Sequence, residues 1–106
     1  MNIAKMMKQA QQMQAKMQKT QEELAEREVE ASAGGGKVTV TATGSGDVTS
    51  IKIDPAVVDP EDVEILEDLV LSAVKQAVGE GRKLMEEEMG KITGGMGMGG
   101  MPGGLF

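Results

Sequence analysis

Apolar side chains recur at Ile3, Met6, Ala10, Met13, Met17 and Leu24, with Thr20 in the remaining slot, so the steps alternate between three and four residues. This is the heptad spacing of a helical seam. The residues between are Ala, Gln, Lys, Met and Glu, all good helix formers, and neither Gly nor Pro interrupts them. The pattern predicts one helix over about residues 2–26, too long for a small sheet to cover and in want of a partner helix.

The period then drops to two. Glu28–Ala33 alternates polar and apolar, and so does the β-branched run Lys37–Thr43. Gly34-Gly35-Gly36 separates these strands, and Gly44-Ser45-Gly46-Asp47 separates the second from Val48–Ile53. Three short strands joined by tight turns predict an antiparallel meander. Asp59 is the expected N-cap of a second helix with Pro60 in its first turn. That helix carries Val63, Leu66, Val70, Ala73 and Ala77 on one face, widened by Ile65, Leu69 and Val74, and is expected to cover the sheet. Gly79 and Gly81 are expected to kink or fray it before it resumes through Met89. The fold class is α+β: long N-terminal helix, three-stranded antiparallel meander, C-terminal helix. Residues 1–93 form a single domain, and the Gly- and Met-rich stretch 94–106 is expected to be a disordered tail.

Composition narrows the function. A chain of 106 residues with ten Met, one Phe, no Trp and no Tyr builds a thin core, for which a second copy is a common remedy. There is no Cys and no His, so thiolate chemistry, the commonest general base and the commonest zinc ligand are all missing. No nucleophile–base pair is recognisable, and an enzyme is not expected. The Gly-rich turns lack P-loop spacing, and the acidic residues of 54–64 lack that of a calcium-binding loop. No cofactor, metal or small-molecule substrate is expected. No apolar run has the form of a signal peptide or membrane span, so the expected location is cytoplasmic.

Charge is unevenly spread. The net charge is −6, yet residues 1–21 carry Lys5, Lys8, Lys16 and Lys19 and no acid. The lysines form one stripe on the helix, beside a seam whose Met6, Ala10, Met13, Met17 and Leu24 are the expected dimer contacts. The plain alternative is a solvated face that keeps a Met-rich helix in solution, but such faces usually mix signs in i,i+4 pairs. Arg82 and Lys83 form a second basic group, for which pairing with Glu86 and Glu87 is the competing account. Glu22, Glu23, Glu26, Glu28 and Glu30 would repel phosphate from the junction of helix and sheet.

Several segments together carry a resemblance: Met7-Lys8-Gln9-Ala10-Gln11-Gln12-Met13 and Gln21-Glu22-Glu23-Leu24, the meander with Val48-Thr49-Ser50-Ile51-Lys52-Ile53-Asp54-Pro55, Leu66-Glu67-Asp68-Leu69-Val70, and the tail ending Leu105-Phe106. In this order and spacing they resemble the YbaB/EbfC family over nearly the whole chain. The resemblance implies a homodimer with protruding helical arms that binds double-stranded DNA with little sequence preference and is associated with the nucleoid. It implies contacts from basic residues on both helices, here Lys5, Lys8, Lys16, Lys19, Arg82 and Lys83. Gly79 and Gly81 depart from the family pattern. A rival reading of the same arms is a protein–protein adaptor or chaperone-like clamp.

Overall fold

The computed structural model describes residues 2–94; the tail expected from the sequence lies, apart from Gly94, outside the described residues. The chain runs α1 (Ile3–Glu26), β1 (Glu28–Ala33), β2 (Val38–Thr43), β3 (Val48–Ile53), a 3-10 turn (Pro55–Val57) and α2 (Val63–Thr93). The α+β order read from periodicity is the order observed. Asn2 opens α1, its side-chain oxygen accepting from the Lys5 amide at 3.0 Å.

The sheet is antiparallel in the order β1-β2-β3. Gly34, Gly35 and Gly36 all have positive φ in the first turn, a conformation costly for any residue with a Cβ. In the second turn the Thr43 amide donates to Asp47 O at 2.8 Å, and the Thr43 hydroxyl accepts from the Asp47 amide at 3.3 Å. A bulge between Thr41 and Ala42 shifts the register of β3.

One face of β2 makes the core. Val38, Val40 and Ala42 are fully buried with Ala73 and Ala77 of α2. The two alanines let the helix axis sit close to the strand, and each buried valine contributes about 1.5–3 kcal/mol. The helix lies over β1 and β2 and barely touches β3.

Two expectations at α2 need correction. Its first residue is Val63 and not Pro60, and its N-cap is Asp62, which makes no side-chain capping bond. The Asp59 carboxylate accepts from the Glu61 amide at 2.9 Å, and its carbonyl from the Asp62 amide at 2.9 Å. Asp59 and Pro60 therefore build a turn ahead of the helix, because the short Asp side chain closes on the backbone two residues on. The second correction concerns the glycines. The helix runs unbroken through Gly79 and Gly81 to Thr93, with no fraying. Gly79 is exposed, whereas Gly81 is buried against the end of β2.

For the part of α1 nearest the sheet, its own chain supplies a partner helix. Leu24 is 4% exposed and Ile92 of α2 is 6% exposed, and the two helices are in contact. The carbonyl of Leu24 accepts from the amides of Arg27 and Gly44 at 3.2 and 3.0 Å, which ties the end of α1 to the second turn. The whole is elongated, with principal extents of 71 × 28 × 15 Å.

Candidate nucleic-acid interface

At about 100° per residue, Lys5, Lys8, Lys16 and Lys19 fall within an arc of about 80° on α1. The centre of that arc lies about 130° from the seam centre. Burial follows the seam: Met13, Met17 and Thr20 are half-buried, and Leu24 is buried. Since that side of α1 meets α2, the lysines face away from the contact, and all four are exposed. From Lys5 to Lys19 the stripe is about 21 Å long at 1.5 Å per residue.

No acid neutralises it. Among the described residues the ion pairs are Lys37–Asp54 and Lys91–Glu88. The Glu88 carboxyl is held below its ordinary range by the hydrogen bond and the positive charge of Lys91. That pair spends the charge of Lys91, which otherwise would add to the basic surface of α2. The stripe carries four charges outside any ion pair, and only Lys5 stands in the first turn of α1, where the helix dipole is also positive.

Arg82 and Lys83 are exposed as well, and neither forms the i,i+4 pair with Glu86 or Glu87 that the sequence allowed. The structure does not bring them to the free end of the stripe. They follow Gly81, which packs on the end of β2 close to Gly44, and Gly44 is bonded to Leu24. Leu24 is 19 residues from Lys5, about 28 Å along the helix. Arg82 reaches over the second turn, its Nε 3.5 Å from where a Cβ on Gly46 would stand. Arg82 and Lys83 thus lie near the Leu24 end of α1, toward which the stripe runs from Lys5 to Lys19, five residues short of Leu24.

The expected dimer contacts divide in the same way. Leu24 is buried within its own chain, Met13 and Met17 are half-buried, and Met6 and Ala10 are exposed. Ala10, Met13, Gln14, Met17, Gln18 and Gln21 bound an open depression along α1. Glu22, Glu23 and Glu26 line a separate one at the end of α1 nearest the sheet. An approaching polyanion is attracted along α1 from Lys5 to Lys19 and repelled at that acidic end.

Among the described residues there is no cluster of three or more His, Cys, Asp or Glu able to hold a metal ion, and no helix is long and apolar enough to cross a membrane. What sequence reading did not single out is the apolar column Val48, Ile51 and Ile53, exposed on β3. Its only signal was that these residues lie on an end strand of the sheet.

Residues 1–96 match the YbaB/EbfC DNA-binding family. A nucleoid-associated protein of Alkaliphilus metalliredigens is 54% identical over 100 residues, covering 94% of this chain and 88% of that protein. One from Moorella thermoacetica is 57% identical over 93 residues, covering 88% and 89%. One from Acetivibrio thermocellus is 55% identical over 102 residues, covering 96% and 88%. The crystal structure of an uncharacterized Helicobacter pylori protein shares the fold, with a TM-score of 0.64 at 23% identity, covering 91% of this chain and 97% of that one.

Proposed function

The chain belongs to the YbaB/EbfC DNA-binding family, which is not a family of enzymes, and on that premise we propose that it binds duplex DNA as a homodimer in the nucleoid. The observation that carries this reading is the stripe of Lys5, Lys8, Lys16 and Lys19, exposed, free of ion pairs and turned away from the helix contact. Each lysine acts as a point charge that neutralises a phosphate and releases its counterion. Arg82 and Lys83 extend the surface toward the sheet. Lysines read charge and not bases, so sequence preference is limited. The phosphate ladder advances about 3.4 Å per strand, so a 21 Å stripe follows about six phosphates.

Met6, Ala10, Met13 and Met17 serve in this reading as a contact between the α1 arms of neighbouring copies. Leu24 drops out of it, since α1 buries that side chain inside its own chain. The exposed Ile3, Met6 and Met7 favour a second reading, an adaptor whose arms grip a protein.

Fluorescence anisotropy of a random-sequence duplex at several salt concentrations separates the two. For about six phosphate contacts per dimer, log K should fall against log salt with a slope near −5, about −0.9 per contact. Changing Lys5, Lys8, Lys16 and Lys19 to Gln should abolish binding. If the unmodified protein fails to bind duplex even at low salt, the DNA reading is wrong and the adaptor takes its place.

A further inference from the structure

Beyond Gly81 the second helix leaves the sheet. Gly81 packs on Thr43 at the end of β2, and α2 continues from there to Thr93. One side of this stretch is nevertheless covered: Leu84, Met85 and Met89 are half-buried and Ile92 is buried. The element that covers it is α1. Gly44 joins the two helices at their base, since it lies close to Gly81 and its amide donates to the Leu24 carbonyl. Ile92 is 11 residues from Gly81, and Met13 is 11 from Leu24. Both spans are about 17 Å, so the contact runs from Leu24 out to Met13.

Half of the side chains in this contact are thioethers. The first helix contributes Met13, Met17, Thr20 and Leu24, and the second Leu84, Met85, Met89 and Ile92. Met13 and Met17 are four residues apart, as are Met85 and Met89, so each pair shares one helix face. All four are half-buried, which makes them part of the packing and still leaves them within reach of a small solute. The open depression along Met13 and Met17 gives access from the side of α1. Met6 and Met7 are 52% and 59% exposed and lie before the contact begins. Oxidation turns a flexible apolar Met into a polar sulfoxide and disrupts Met-rich contacts.

We propose that Met13, Met17, Met85 and Met89 form a reversible oxidation site that releases the α1 arm from α2 when a peroxide reaches it. At each thioether the peroxide O–O bond breaks, an S=O bond forms and water leaves. The sulfur loses the two electrons that the peroxide gains. Sulfoxide reductases drawing electrons from a dithiol reverse the step. Leu24 and Ile92 alone, at opposite ends of the contact, do not hold the helices together once four polar groups stand between them. The lysines ride on the released arm, so the consequence for duplex affinity rests on the DNA reading; the release itself does not.

Amide exchange of the full chain before and after hydrogen peroxide, with the oxidised residues identified by peptide mass, tests this. Exchange should accelerate at least about tenfold in residues 13–20 and 84–92 together and stay unchanged in residues 38–42. Sulfoxide reductases with dithiothreitol should reverse it. A variant with Met13, Met17, Met85 and Met89 changed to Leu, a swap that keeps the volume, should not respond. One with only Met6 and Met7 changed to Leu should respond like the unmodified chain. Three results would each overturn the proposal: unchanged exchange once all four are sulfoxides, equal acceleration in the four-Leu variant, or four sulfurs left intact while Met6 and Met7 are fully converted. Duplex affinity should fall with the release and return with reduction. A chain that never binds duplex removes the DNA reading and leaves the exchange result to decide this one.

Discussion

The carbonyl oxygen of Thr43 occupies the space that a Cβ on Gly81 would need. This close approach sets how near α2 comes to the end of β2, and Gly79, two residues earlier, has open space around it. The two glycines therefore respond oppositely to alanine. Gly81→Ala should destabilise the fold by about 1–3 kcal/mol, because the helix must shift off the strand. Gly79→Ala should stabilise it by about 0.5–1 kcal/mol, through helix propensity alone. Thermal unfolding at one fixed protein concentration reads both, at about 4–8 °C per kcal/mol for a domain of this size. Equal and small effects at both sites would show that the close approach is not obligatory.

Leu24 anchors α1 to the rest of the chain, and its backbone carbonyl is also held by Gly44. Leu24→Ala should cost about 2–5 kcal/mol. Amide exchange should accelerate first in α1, whose leading half has no other buried side chain to hold it. Urea unfolding supplies the magnitude, and uniform acceleration over all elements would contradict the assignment.

Asp54 closes the far end of the sheet. Its carboxylate accepts from the Ala56 amide at 2.9 Å and from Lys37 Nζ at 3.3 Å. The backbone bond at Ala56, followed by the Lys37 hydrogen bond and charge, holds its pKa below the ordinary 3.8. A depressed folded-state pKa gives stability that is present above the ordinary value and lost as pH falls through the folded one. Asp54→Asn should therefore flatten the decline of the melting temperature below about pH 4 while leaving its shape near neutrality unchanged. Parallel acid limbs in the two proteins would rule this linkage out.

The two basic groups should separate in their effect on DNA. Lys5→Gln with Lys8→Gln removes two positive charges per chain and should lower the steepness of the salt dependence by about one unit for each phosphate left unneutralised. Arg82→Gln with Lys83→Gln should have the smaller effect, because Arg82 already rests on the second turn. Anisotropy titrations at matched salt decide the order, and a larger loss of affinity from the α2 pair would move the principal DNA surface to the base of the arm.

Much of this was legible in the chain itself. The seven-residue rhythm from Ile3 to Leu24 requires a helix with one apolar stripe, and the alternation in Val38–Thr43 requires a half-buried strand, because side-chain direction repeats with the backbone period. The lysine stripe followed from the same periodicity, since angular position on a helix depends only on spacing. Which surface answers the α1 stripe did not follow. Heptad spacing asks for a helix without saying whose, and only the path of α2 past the sheet supplies Ile92 and its neighbours from the same chain. Gly81 shows the same limit: a propensity scale knows only the lost backbone entropy, whereas the structure places a carbonyl where its side chain would be. The exposed column Val48, Ile51 and Ile53 marks the boundary most sharply. Alternation assigns Ile51 and Ile53 to the core side of β3 and only the bulge brings Val48 to that side, but whether a helix lies above them depends on where α2 is steered by the bulk of its neighbours, and that is decided only in three dimensions.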